Sequence, residues 1–138
     1  MKYVLILLAT LGIAASALAL REHYRTDTSP CSINERWDCG IVNHSPYATV
    51  KGTGIPVAVV GIAGYLFLGA LAWRRLWRIV LAAALVGLGF SLYLAHIEKD
   101  ILGVWCIYCV ISLADISLIN LLALGTTVAS QFAGTFPR

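Results

Sequence analysis

Charge is scarce in this sequence. Of 138 residues, ten are Lys or Arg and seven are Asp or Glu, so 12% are charged, about half the share found in a soluble globular domain. So few cations cannot build the basic surface that grips a phosphate backbone, which excludes a nucleic-acid binder. Disorder is excluded by the opposite excess. Hydrophobic residues make up 59% of the chain and mean hydropathy is +0.83, whereas disordered chains are poor in apolar residues. An ordinary soluble enzyme is excluded as well, because a domain this small hides only about two-thirds of its surface. Internal repeats, low-complexity tracts and alternating strand patterns are also lacking, so neither a solenoid nor a β-barrel is expected. What remains is an all-α integral membrane protein, a single membrane domain over residues 1–138.

Four stretches approach the roughly 20 apolar residues that a spanning helix needs. They cover residues 3–20, 55–73, 79–96 and 101–125, the last interrupted only by Asp115 and Asn120. Backbone polar groups in lipid must be satisfied within the segment, so a four-helix transmembrane bundle is expected. The first stretch also has the outline of a cleavable signal peptide, with Lys2 before it and Ser16-Ala17-Leu18-Ala19 at its end. Its apolar run is long for a signal core, so a retained helix is expected.

Charge sets the orientation. Lys2, Arg74, Arg75, Arg78 and Arg138 flank the spans on one side, and no acidic residue accompanies them. Positive flanks belong to the cytoplasm, which puts both termini there. The long loop over residues 21–54 then lies outside, with Arg21, Arg25, Arg36 and Lys51 balanced by Glu22, Asp27, Glu35 and Asp38. The short Glu98-Lys99-Asp100 turn is expected outside too. Trp37, Trp73, Trp77 and Trp105 fall near the expected interfaces, as in an aromatic belt.

The four cysteines form two pairs. Cys31 and Cys39 lie in the outer loop, seven residues between them. Cys106-Ile107-Tyr108-Cys109 opens the fourth span. On a helix the latter two sit roughly 60° apart and one turn along, a spacing that allows a disulfide. Three readings stand side by side at this point: structural disulfides on an oxidising face, a four-cysteine zinc site, and a redox relay. Zinc is disfavoured by the wide loop spacing and the position of the second pair at the bilayer. A bridge closing so small a loop adds little stability, which disfavours a mere staple. Cys-x-x-Cys is commonly a thiol-exchange motif, and at a membrane interface it points to an electron acceptor in the lipid.

In order and spacing, Cys31-x7-Cys39, Ser45-Pro46, Gly54-Ile55-Pro56 and Cys106-Ile107-Tyr108-Cys109 resemble the vitamin K epoxide reductase family in its short bacterial form. The resemblance implies a four-helix bundle in the bacterial inner membrane, with a quinone of ubiquinone, menaquinone or vitamin K type near its outer end. It implies that Cys31 and Cys39 shuttle electrons and that Cys106 and Cys109 form the active-site pair. Cys39 would exchange with Cys106, Cys109 would face the quinone, and Ser45 would lie near the ring. No metal is implied. The implied activity is quinone-dependent re-oxidation of a thioredoxin-like periplasmic protein, which supports disulfide formation. Some members carry a fused thioredoxin-like domain; with the chain stopping at Arg138, a separate partner is expected. Animal members have a tyrosine four residues after the second active-site cysteine. Leu113 stands there in this chain, which favours plain quinone reduction over epoxide reduction.

On the mechanism so implied, the partner's first contact is expected at Cys31. Leu113, one turn beyond Cys109, is expected to line the quinone cavity, with Ser45, Tyr93 and His96 as candidate donors. For His96 the reading as an interfacial residue closing the third span is favoured over that of a donor. Asp115 falls roughly 240° around from Cys109, so a structural hydrogen bond to a neighbouring helix is expected rather than a proton route. Gly61, Gly64, Gly69, Gly87 and Gly89 are expected to mark close helix packing. The competing class of function is a membrane scaffold or accessory subunit whose cysteines staple a loop.

Overall fold

The computed structural model describes residues 2–24, 36–38, 49 and 54–135. Four helices account for nearly all of them: α1 Lys2–Tyr24, α2 Val57–Trp73, α3 Trp77–His96 and α4 Ile107–Thr135. The expected all-helical class is therefore met. Three segments, Lys2–Tyr24, Trp77–Leu102 and Ile107–Ala129, are long and apolar enough to cross a membrane. The fourth, α2, is apolar but has 17 residues, a length of about 25 Å at 1.5 Å per residue. Of the loop expected over residues 21–54, residues 21–24 belong to α1. Most of the remainder lies outside the described residues.

Two boundaries differ from the sequence reading. The turn expected at Glu98-Lys99-Asp100 is a π-helical segment, Ile97–Leu102, continuous with α3. The span expected to begin at residue 101 begins at Ile107. The cause is local. His96 and Asp100 pair across one turn at 2.7 Å, which extends the helix past the charged residues. Gly103, at φ 69°, then ends it in the left-handed conformation that glycine adopts without steric cost.

Helix α2 starts immediately after Pro56, whose φ of −60° suits a helix start. It ends in a Schellman motif: Leu76 N–H donates to Leu71 O at 3.1 Å and Arg75 N–H to Ala72 O at 3.1 Å. Arg75 takes the left-handed position there, at φ 56°. This tight turn sends α3 back beside α2. At the same end, the Lys2 ammonium sits 3.9 Å from the Trp73 ring centroid. Lys2, Arg74, Arg75 and Arg78 thus gather at one end of the bundle, while the Cys106-x-x-Cys109 segment lies at the other.

Packing follows residue size. The buried face of α1 repeats Leu5, Ala9, Gly12, Ser16 and Ala19 at three- and four-residue spacing, so small side chains let α2 and α4 approach closely. Ala84, Val80, Ile116, Ile119 and Ala123 fill the α3–α4 seam. Outward faces stay apolar, with Leu7, Leu66, Phe67, Val86 and Leu121 all exposed. A helix that is apolar all round suits lipid rather than water.

Polar side chains bind helices together. Asn120 Nδ2 donates to Ala84 O on α3 at 2.9 Å, and Tyr65 Oη bonds Ser112 on α4. The interhelical bond expected of Asp115 is not made at its Oδ2, which is buried and without a partner among the described residues; Asn120, five residues further on, makes such a bond instead. Gly12 is the tightest glycine, because a methyl group there would overlap the Tyr65 ring. Gly61 and Gly69 face Ser16 and Ala9, as close packing requires, whereas Gly64 and Gly89 have open space where a side chain would stand. Gly12→Ala is expected to lower stability by about 1–3 kcal/mol through overpacking. Gly89→Ala is expected to be neutral or stabilising. Thermal unfolding of the detergent-solubilised variants checks the pair.

Candidate active site at the cysteine end of the bundle

Gly103 ends the π-helical segment, and Val104 and Trp105 carry the chain across the top of the bundle. Trp105 forms a parallel bridge with Trp37. Its N–H donates to Arg36 O at 2.6 Å, and its carbonyl accepts from Asp38 N–H at 3.0 Å. Cys39 follows Asp38 in sequence and Cys106 follows Trp105. The bridge therefore joins two segments of chain, two residues upstream of Cys39 in one and one residue upstream of Cys106 in the other.

Cys106 sits at the start of α4, where its carbonyl accepts from Val110 N–H at 3.0 Å. It is fully buried, at 0% exposure, while Cys109 is half-buried. The two thiols hydrogen-bond each other. Both also meet one carboxylate. Glu98 Oε2 accepts from Cys106 N–H at 3.3 Å, and the same side chain hydrogen-bonds the Cys109 thiol. Glu98 is 3% exposed.

Below the cysteines lies a cavity of about 570 Å³, within the range that holds a drug-sized ligand. Its wall is mostly apolar, with Leu68, Phe90, Leu94 and Ile116 among its residues. Its polar lining residues include Tyr65, Ser91, Ser112, Glu98 and Cys109. Tyr65 Oη lies 2.8 Å from Ser112 Oγ, so one hydroxyl of this pair can turn toward an occupant's carbonyl. An aromatic or isoprenoid molecule with one or two carbonyl oxygens fits such a site. Cys109 lines the cavity, whereas Cys106, fully buried, does not.

The structure brings Cys109 and Leu113 to the cavity wall. Cys31, Cys39 and Ser45 lie outside the described residues. Tyr93 and His96 do not reach the cavity: Tyr93 is 58% exposed, and the outward-facing His96 pairs with Asp100. Tyr65, Ser112 and Glu98 were not singled out by the sequence. Ser112 carried a signal, since it falls three residues past Cys109 on nearly the same helix face. Glu98 carried one too: Phe90, Leu94 and Glu98 recur every four residues and all three line the cavity.

The turn at Gly103 aims both cysteines. A side chain there would meet nothing within 4 Å, so Gly103→Ala costs only backbone strain, about 1–2 kcal/mol. A correspondingly lowered unfolding temperature checks this, and an unchanged one would contradict the left-handed turn.

A model of the vitamin K epoxide reductase family matches residues 3–127. No curated protein matches the chain. With nearly the whole length covered, and Cys109 of the two-cysteine motif on the wall of an apolar cavity, the chain belongs to the vitamin K epoxide reductase family.

Proposed function

We propose that this chain is a quinone-linked thiol–disulfide oxidoreductase that re-oxidises a separate thioredoxin-like protein. Members of its family are membrane oxidoreductases associated with quinones. The observation that carries the finer reading is the seating of Cys109 on the wall of an apolar cavity, with Cys106 buried behind it and next to the Trp37–Trp105 bridge. A quinone held in the cavity beside Cys109 would supply the acceptor for two electrons and two protons.

The protein's own steps are thiol–disulfide exchanges, each a thiolate attack through a mixed disulfide. The partner's dithiol attacks the Cys31–Cys39 disulfide at Cys31 and leaves oxidised, with Cys31 and Cys39 as thiols. Cys39 attacks Cys106 of the Cys106–Cys109 disulfide and liberates Cys109. Cys31 then resolves the Cys39–Cys106 link and restores its own bridge. Cys106 and Cys109, now both thiols, re-form their disulfide as two electrons pass from Cys109 into the cavity. The tie between residues 36–38 and Trp105 supports the exchange between Cys39 and Cys106. Leu113, an aliphatic wall residue where animal members carry tyrosine, favours quinone over epoxide as the acceptor.

The basic end of the bundle opposes the cysteine end, and basic flanks face the cytoplasm. On that rule the bundle crosses the bacterial inner membrane four times with α2 as the short span, and both cysteine pairs face the periplasm.

Cys106→Ala and Cys109→Ala are each expected to abolish quinone reduction, followed by quinone absorbance with purified protein. Full activity in either variant would end the relay. Cys31→Ala and Cys39→Ala are expected to lose activity with a protein dithiol but retain part of it with a small penetrating dithiol. Equal loss with both substrates would remove the shuttle role. In Cys31→Ser, which lacks the thiol that resolves the link, a Cys39–Cys106 disulfide is expected to accumulate and to be found by peptide mass spectrometry; a Cys39–Cys109 link instead would reverse the order of the active-site pair.

A further inference from the structure

Glu98 is an anomaly in physical terms. It is 3% exposed at the end of an apolar bundle, where a carboxylate is costly unless it is paired or neutral. No cation meets it. His96 and Asp100, on the same helix, turn outward and pair with each other. Its contacts are the Cys106 N–H and the Cys109 thiol, and it lines the same cavity as Cys109. The π-helical segment is the device that produces this placement, since Glu98 lies within it and π segments often occur at functional sites.

Two acidic groups in contact in an apolar site do not both carry charge comfortably. A thiolate at Cys109 beside a Glu98 carboxylate is two negative charges with no cation between them. A thiolate beside a protonated Glu98 is one. The stable arrangement therefore shares a single proton, held by sulfur in one state and by the carboxyl in the other.

We propose that Glu98 is a catalytic residue that takes the Cys109 proton and delivers it into the cavity. The inference rests on the quinone-reducing reading above and names the proton carrier of that same site. The Cys109 S–H bond breaks and an O–H bond forms on Glu98, leaving Cys109 as thiolate. Two electrons then leave the sulfur pair as the Cys106–Cys109 bond forms. The quinone takes up both electrons and two protons, one from Glu98 and one that originates on the Cys106 thiol. Glu98 returns to carboxylate, ready for the next turnover. The Cys106 N–H, by bonding Oε2, keeps the carboxyl aimed during the exchange.

The test compares Glu98→Gln and Glu98→Asp with the unmodified protein, purified in lipid nanodiscs. Gln keeps the shape and the hydrogen-bond acceptor but does not carry the proton. In Glu98→Gln, kcat for reduction of a short-chain benzoquinone is expected to fall about 100-fold or more, the scale of general acid–base catalysis, with KM within about twofold. Glu98→Asp is expected to recover part of the loss. A second measurement needs no quinone: maleimide alkylation of Cys109 in the reduced protein is expected to speed up markedly in Glu98→Gln, because a neutral amide no longer repels the thiolate that maleimide attacks. Normal kcat together with normal alkylation would overturn the proposal. Should the unmodified protein reduce no quinone, the quinone reading fails while the alkylation comparison still decides the role of Glu98. Should Glu98→Gln fail to fold, infrared difference spectra of the unmodified protein decide. A carboxylic-acid band that changes between the dithiol and disulfide forms is expected, and its absence would overturn the assignment.

Discussion

Two backbone hydrogen bonds, Trp105 N–H to Arg36 O and Asp38 N–H to Trp105 O, are the contact on which the functional account depends. A membrane bundle can seat a dithiol beside an apolar cavity and still be useless to a water-soluble substrate. Something must connect the sealed site to the aqueous side. The bridge does this by tying the chain just before Cys39 to the chain just before Cys106. Backbone bonds of this kind hold position without fixing the side chains that follow them. That suits the shuttle role proposed for Cys39, in which it serves a partner in one step and the second cysteine pair in the next.

Beneath that bridge the bundle is nearly all carbon, and its few polar groups mark where it does something specific. Asn120 and Thr127 join α4 to the backbone of α3. Tyr65 and Ser112 join α2 to α4 and also border the cavity, so one hydroxyl pair both fastens the helices and offers a handle to an occupant. Glu98 joins the end of α3 to the start of α4, and both its partners among the described residues belong to the cysteine motif. Asp115 remains a buried carboxylate with one oxygen unpartnered among the described residues, and nothing in the structure explains it.

The sequence made the helices legible because the bilayer imposes a coarse and strong rule: long apolar runs must be helical. The cysteine motif was legible because its spacing is chemical. The boundary between the last two spans was not. Three charged residues in a row, Glu98-Lys99-Asp100, read as a water-exposed turn, and hydropathy averages over all of them. The structure separates them by side: Lys99 and Asp100 face out, while Glu98 turns inward along the Phe90–Leu94 face. Tyr93 and His96 misled for the same reason, since polarity near an interface says nothing about which way a side chain points. Small residues were ambiguous as well. Gly12, unmarked in the sequence, makes the closest approach, whereas Gly64 and Gly89 pack against nothing.

The central claim is that the cavity beside Cys109 holds the electron acceptor. A photoreactive quinone analogue, illuminated with the protein in nanodiscs and followed by peptide mass spectrometry, tests it most directly. Adducts are expected in residues 107–116 and should disappear when unlabelled quinone competes. A second, smaller hollow at the basic end is lined by Arg75, Trp77, Arg78 and Thr127. Competed labelling there, with none near Cys109, would contradict the account.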